Sequence, residues 1–404
     1  MNTDTDTDTD TDTDTDAQAH GQRLARLIRE AIAAAGGAMP FDRFMDLALY
    51  APGLGYYVAG APKLGPAGDF VTAPELSPLF GRCLAAQCSE VLVALGGGDV
   101  LEFGAGSGAL AAELLPALAR LRTLPEQYLI LEPSPDLAQR QRHLLAQRIP
   151  ELLPRVRWIE TLPQRLRGLV LANEVIDAMP VHRFCIGADG GVQEVLVEAD
   201  GDGFRERAAE PVSAPLAPAV RALQAAGLAM STGYCSEVNL RAAPWIQALS
   251  ARLEAGMALL IDYGYPQAEY YLPERRCGTL MCHYRHQAHD DPFANIGLQD
   301  ITAHVDFTAV ARAGTQAGLT LAGYTSQANF LLGCGIDDLM AEFADDPMAL
   351  LDLTAGVKQL LLPSAMGERF QVLALTRHLA PPAGQWRGFA LRDLSDRLWA
   401  GPLA

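Results

Sequence analysis

The spacing of apolar residues along this 404-residue chain divides it into regions of different character. Leu24, Leu27, Ile28, Ala31 and Ile32 recur at helical spacing and make one apolar face. That face docks within the chain or on a second copy in a homodimer. A second short helix is predicted after Pro40, through Phe44 and Leu47. The stretch from Tyr50 to Gly81 is dense in Gly and Pro. So long an irregular segment inside a compact domain is either functional or disordered, and its aromatics (Tyr50, Tyr56, Tyr57, Phe70, Phe80) argue against disorder. A helix is predicted from about Glu75 to Leu95.

From Asp99 the pattern alternates between strand and helix. Seven segments read as strands: "DVLEF", "QYLILEPS", "VRWIE", "GLVLANEV", "MALLIDYG", "LTLAGYTS" and "FQVLALTR". After the second, Ser134 and Pro135 stand as N-cap and first residue of a helix. The fold class is therefore α/β, a mostly parallel sheet covered on both faces. Two regions interrupt the alternation, at about 181–240 and 336–366. The first opens with a polar β-meander over 181–215 that has Gly-rich turns, and the second is helical. The expected organisation is a tail over 1–19, a helical N-terminal region over 20–98, a core over 99–378 and a C-terminal tail over 379–404. That last tail carries Trp386, Phe389, Leu391 and Trp399, which suit a short packed helix.

Charge narrows the function classes. The chain has 31 Lys and Arg against 48 Asp and Glu, a net charge of −17, so nucleic-acid backbone is not an expected partner. Part of the excess lies in a Thr-Asp repeat from Thr3 to Asp16. The repeat has no apolar residue to bury and is expected to be disordered. No run of about 18 apolar residues occurs, so no membrane span is expected. Seven cysteines without a CxxC pair, and no signal peptide, read as free thiols in a reduced, cytoplasmic chain.

The strongest local chemistry is "LEFGAGSGAL". Gly104, Gly106 and Gly108 lie between a buried strand and a helix, where glycines allow a sharp turn and close approach of a ligand to the main chain. The string also fits a dinucleotide pattern, ending in Ala109. Glu102 separates the two cofactor classes: a carboxylate there repels a pyrophosphate but tolerates a cationic sulfonium or an amine. With Glu132 placed at the end of the second strand to accept ribose hydroxyls, the pattern favours S-adenosylmethionine over NAD.

The fourth strand ends in "ANEVIDAMPVHRF". Asn173, Glu174 and Asp177 cluster where it meets the crevice, and a helical turn would put Glu174 and Asp177 on one face. Two such carboxylates can clamp a guanidinium or accept a proton, or simply cap a helix. Cys277, Cys282, His283, His286 and His289 suggest a metal, but their spacing does not match a zinc site, and a polar loop facing the crevice is expected instead. Asp300, His304 and Asp306 are placed in a loop that feeds a helix starting near Phe307, with His304 a further catalytic candidate.

"GDFVTAPELSPLFG", "LEFGAGSG", "ANEVIDAMPVHRF", "IDYGY" and "QDITAHVDF", in this order, resemble the MidA-like family of class I S-adenosylmethionine-dependent methyltransferases. That family includes the mitochondrial arginine methyltransferase that assists assembly of respiratory complex I. The resemblance spans about residues 20–378. It implies a Rossmann-like seven-stranded sheet, parallel except for the last strand, and S-adenosyl-L-methionine against Glu102, Gly104, Gly106, Gly108 and Glu132. It further implies a cofactor-covering segment with Gly68, Asp69, Phe70, Thr72 and Glu75, and a protein arginine as acceptor, on a complex I subunit by analogy. Pro133 after the acid, the Thr-Asp repeat and the tail after His378 depart from the pattern. Two rivals stand beside this reading: an NAD-dependent oxidoreductase, which leaves Glu102 unexplained, and a non-enzymatic assembly factor with a relic pocket.

Overall fold

A computed structural model of the chain describes residues 7–59, 72–382 and 384–401. Its centre is an eight-stranded sheet with seven main strands: β1 Asp99–Phe103, β2 Tyr128–Leu131, β3 Val156–Ile159, β4 Leu166–Asn173, β5 Leu253–Tyr265, β6 Thr320–Ser326 and β7 Phe370–Arg377; the two-residue strand Val305–Asp306 pairs parallel with the end of β5. In space the order is 3-2-1-4-5-7-6. The strands from β3 through β5 pair parallel, and β7 runs antiparallel to both β5 and β6. All seven sequence-read strands are present and in the expected direction.

The strands read as unbroken apolar runs because both faces are covered. Val100, Leu169, Leu171, Met257 and Leu259 point to one core, with the helices Pro78–Leu95 and Ala109–Arg120. Leu101, Val170, Ala172, Ala258 and Leu260 point to the other, with the helices Ala242–Arg252 and Phe307–Gln316. The two sets alternate along each strand, as pleating requires. The helix Pro78–Leu95 is long and apolar enough to cross a membrane, but in this fold its apolar residues fill the core between sheet and helices.

The single helix predicted over 75–95 is interrupted. Ser77 is extended (φ −158°, ψ 135°) because the ring of Pro78 disfavours helical backbone before it. Ala73–Leu76 is a separate turn, and the Ser77 hydroxyl caps Pro78–Leu95 by accepting the Leu79 N–H at 3.2 Å. The Thr-Asp repeat, read from the sequence as a disordered tail, is described from Thr7 onward. The first helix spans Thr7–Ala34 and so takes in most of it. Its C-terminal half is anchored by buried Leu24, Ile28 and Ile32, and adding residues to an existing helix avoids the cost of nucleation. Those three side chains pack on Phe41 and Phe44 of the helix Phe41–Tyr50 and on Val197 and Ile301. The apolar face therefore docks within the chain.

The interruption after β4 is a five-stranded antiparallel sheet made from His182–Ile186, Val192–Asp200, Gly203–Ala209, Cys235–Val238 and the early strand Ala38–Pro40. Cys185 and Cys235 sit directly opposite one another in it and form a disulfide, which corrects the expectation of free thiols throughout. Facing positions on neighbouring strands bring two Cβ atoms within bridging reach. A three-stranded sheet of Met281–Tyr284, Gln287–His289 and Asp300–Thr302 lies further on, so Asp300 is in a strand and not in a loop. The 336–366 region holds the helices Ile336–Ala341 and Pro347–Leu361. In the C-terminal tail, Arg387–Ala390 is helical, with Trp386 and Phe389 buried and Leu391 and Trp399 exposed.

Candidate active site

A cavity of about 590 Å³ opens at the carboxyl ends of β1, β2, β4 and β5, where ligands sit in open α/β sheets. One half is built by the Gly-rich turn. Gly104, Gly106 and Gly108 have φ of 55°, 55° and 89°, a left-handed backbone that side chains rarely adopt. Gly104 and Gly106 line the cavity; Gly108 caps the helix Ala109–Arg120 and packs against Gln141. Glu102 lines the wall, accepting the Tyr128 hydroxyl at 2.7 Å, and burial lifts its pKa to about 7.

Glu132 is held from both sides: one carboxylate oxygen accepts the Ser134 N–H at 2.9 Å and the other the Gln141 side-chain amide at 3.0 Å. The same Gln141 nitrogen reaches the Gly106 carbonyl at 2.9 Å, and Trp158 donates to the Gln141 carbonyl at 2.9 Å. Gln141 thus ties the glycine turn to the acid of β2, a role that sequence reading missed. Asn173 and Thr72 also line the cavity. Asp69 and Phe70, expected over the cofactor, lie outside the described residues.

The other half is acidic and aromatic. Glu174 and Asp177 both line it, but no helical turn carries them. Glu174 has φ 53°, a backbone costing about 1–2 kcal/mol for a residue with a Cβ. Its N–H bonds to the Ile261 carbonyl of β5 at 2.9 Å, and its side chain accepts Asn173 Nδ2 at 3.0 Å. Burial, with Asp177 nearby, raises its pKa to about 8. A backbone N–H at Ala73 also reaches this carboxyl, so the end of the "GDFVTAPE" segment touches it. Asp177, raised by burial to about 6, accepts a hydrogen bond from the Tyr263 hydroxyl.

Asp262 completes the acid group from β5. It accepts the N–H groups of Ile176 at 3.0 Å and Asp177 at 3.2 Å, and burial beside two other acids pushes its pKa well up. Among the described residues no ion pair joins Glu174, Asp177 or Asp262 to a cation of the chain. Tyr50 and Tyr57 form a stacked wall (ring centroids 5.5 Å apart), with their hydroxyls on the Ala178 carbonyl and on Asp300, each at 2.9 Å. Sequence reading noticed these tyrosines only as signs of order, and quoted Asp262 and Tyr263 without a role.

His304 lines the cavity, stacked on Tyr265 and edge-on to Tyr263. Its Nδ1 faces the Thr279 carbonyl at 3.3 Å, and burial lowers its pKa to about 4. A neutral ring of that pKa is a weak proton acceptor near pH 7. Asp306 caps the helix Phe307–Gln316, accepting the Ala309 N–H. Met281 and His283 reach the cavity from the three-stranded sheet, and among the described residues no group of three His, Cys, Asp or Glu side chains is arranged to hold a metal ion.

The cavity fits an adenosyl amino acid. Asn173 Oδ1 is buried without a hydrogen-bond partner and suits an N–H or O–H donor. Glu132 brings a carboxylate, an acceptor of the kind a sugar diol needs, to the cavity lining, and the wall around Leu131, Pro133 and Leu137 is apolar.

Comparison with known proteins agrees. The family described as "Putative S-adenosyl-L-methionine-dependent methyltransferase" matches residues 83–325. The mouse protein named protein arginine methyltransferase NDUFAF7, mitochondrial, is 31% identical over 373 residues, covering 85% of this chain and 82% of that one. Its zebrafish counterpart is 30% identical over 370 residues, covering 84% of each. A crystal structure of a Burkholderia thailandensis protein bound to S-adenosyl-homocysteine superposes with a TM-score of 0.89 at 45% identity, covering 94% of this chain and 98% of that one. The expectation of a cytoplasmic chain is corrected by these comparisons, since the curated relatives are mitochondrial proteins. Glycine turn, strand order, sequence and fold agree: the chain belongs to this family of class I S-adenosyl-L-methionine-dependent methyltransferases.

Proposed function

We propose that the acceptor is an arginine side chain on a protein partner, with a respiratory complex I subunit the first candidate. The observation that supports this most is the pair of acids Glu174 and Asp177 on the cavity wall, with Asp262 bonded to the backbone that carries Asp177, all three raised in pKa chiefly by burial. Carboxylates gathered without a cation suit a cationic ligand that brings its own charge. A guanidinium offers a planar fork of N–H donors to such a pair. The relatives named as protein arginine methyltransferases point the same way.

In this reading the bound cofactor supplies an electrophilic methyl carbon on a sulfonium. Glu132, Gln141 and the glycine turn hold the adenosyl part, and Asn173 Oδ1 accepts from it. Glu174 and Asp177 clamp two guanidinium nitrogens, which concentrates lone-pair density on the third. Guanidinium stays protonated in water, so a proton must leave as the new bond forms. Asp177, with a pKa of about 6 and a hydrogen bond to Tyr263, is the acceptor better matched to that task than His304. Tyr50 and Tyr57 shield the acids from water and offer a flat face to a planar cation.

The test is transfer of labelled methyl from S-adenosylmethionine into mitochondrial protein, followed by hydrolysis and amino-acid analysis. Label recovered as methylarginine, and lost in Asp177→Asn, supports the reading. Label in another amino acid or in a small molecule overturns it.

A further inference from the structure

Three cysteines lie side by side across the edge of the inserted sheet. Cys185 and Cys235 are register partners on antiparallel strands and carry the disulfide. On the far side of Cys235, residue Cys277 makes an isolated parallel bridge to it, and the Cys235 N–H bonds to the Arg276 carbonyl at 2.9 Å. Cys277 is free and exposed. Bridged neighbours in a ladder share a face and have Cα atoms roughly 5 Å apart, within the usual range for a disulfide.

The chain builds this approach deliberately. Gly278 has φ 79°, and a Cβ there would lie 2.1 Å from a carboxylate oxygen of buried Glu237. Only a glycine lets the segment settle onto the strand that carries Cys235. Glu237 then accepts the Thr279 N–H at 2.8 Å, which pins the segment in place. The same segment continues to the active site: the Thr279 hydroxyl accepts the His304 N–H at 3.1 Å, and Met281 lines the cavity.

We propose that Cys185, Cys235 and Cys277 form a thiol–disulfide exchange site. The Cys277 thiolate attacks Sγ of Cys235; the Cys235–Cys277 bond forms as the Cys185–Cys235 bond breaks. The electron pair leaves on Cys185, which takes up the proton that Cys277 lost. The count of thiols and disulfides is unchanged, so no oxidant or reductant is consumed. Exchange moves the covalent tie from within the inserted sheet to the segment that leads into the cavity wall.

Two variants test this by non-reducing peptide mapping, with fragmentation separating Cys277 from Cys282 in their shared tryptic peptide. In wild type held at pH 8, both Cys185 and Cys277 are expected to become alkylated with time, and a Cys235–Cys277 peptide is expected to appear. In Cys277→Ser, a conservative change at an exposed position, Cys185 is expected to stay unlabelled. In Cys185→Ser treated with oxidised glutathione, Cys235 and Cys277 are expected to join to each other. Labelling of Cys277 alone in wild type, or separate glutathione adducts on Cys235 and Cys277 in a Cys185→Ser protein with a native melting transition, overturns the proposal.

Discussion

The Tyr263 hydroxyl donates to one carboxylate oxygen of Asp177, while the other oxygen of that carboxylate is buried without a partner of hydrogen-bond geometry. A half-satisfied buried carboxylate is costly, and the cavity beside it is where a cationic donor would satisfy it. Asp177→Asn keeps the shape and removes the charge. Methyl transfer is expected to fall by about 10²–10³-fold, on the scale of a lost transition-state contact or proton acceptor. Affinity for S-adenosyl-homocysteine should stay within about twofold, as read by calorimetry.

Glu174→Gln bears on pH dependence. The folded chain holds a proton on Glu174 up to about pH 8, against an ordinary value of 4.5. Between those values the folded state binds more protons than the unfolded one, so stability falls as pH rises through that window. Melting temperatures of wild type are expected to drop from pH 5 to pH 8 more steeply than those of Glu174→Gln. For catalysis the sign reverses. The clamp needs the ionised acid, so kcat/KM for the methyl acceptor should rise with pH toward about 8 and lose that rise in the variant. Parallel pH profiles for the two proteins would remove Glu174 from the site.

Glu132→Ala and Gln141→Ala act on the other half of the cavity. Gln141 holds both Glu132 and the Gly106 carbonyl, so either change frees the adenosyl side. Loss of a hydrogen bond to a charged group is worth about 1.5–3 kcal/mol, or about 10- to 100-fold in affinity for S-adenosyl-homocysteine. Calorimetric titration reads this directly, and unchanged affinity in Gln141→Ala would show that the bracing is not needed.

Much of this fold was legible in the chain because buried parallel strands leave long apolar runs, and the alternation of strand and helix is local. The turn at Gly104–Gly108 was legible for the same reason: three glycines are needed where the backbone is left-handed. Asp262, Tyr263, Tyr50 and Tyr57 were not, because their roles depend on which strands become neighbours. Asp262 reaches the 176–177 turn only because β5 pairs with β4. Glu174 and Asp177 were identified by type and place, yet the expected helical turn is absent, since the left-handed backbone at Glu174 is stabilised by a bond to β5 that no local pattern encodes. The disulfide depends likewise on a register between strands 50 residues apart.

The C-terminal tail contributes to stability. Phe389 is fully buried against Phe330, and a Cβ built on Gly323 would lie 2.3 Å from its ring. Phe389→Ala is expected to cost about 3–5 kcal/mol of unfolding free energy, measurable by urea denaturation. A cost below about 1 kcal/mol would mean the tail packs only loosely on the core.

The most direct test of the acid group as a guanidinium site uses methylguanidine, the reactive end of arginine alone. It would be titrated by ligand-observed NMR into S-adenosyl-homocysteine-bound protein at pH 8, with methylammonium as the comparison cation. Saturable methylguanidine binding, stronger than that of methylammonium and lost in Asp177→Asn, is the expected result. Equal binding of the two cations, or methylguanidine binding that survives in Asp177→Asn, would contradict a guanidinium clamp at Glu174 and Asp177.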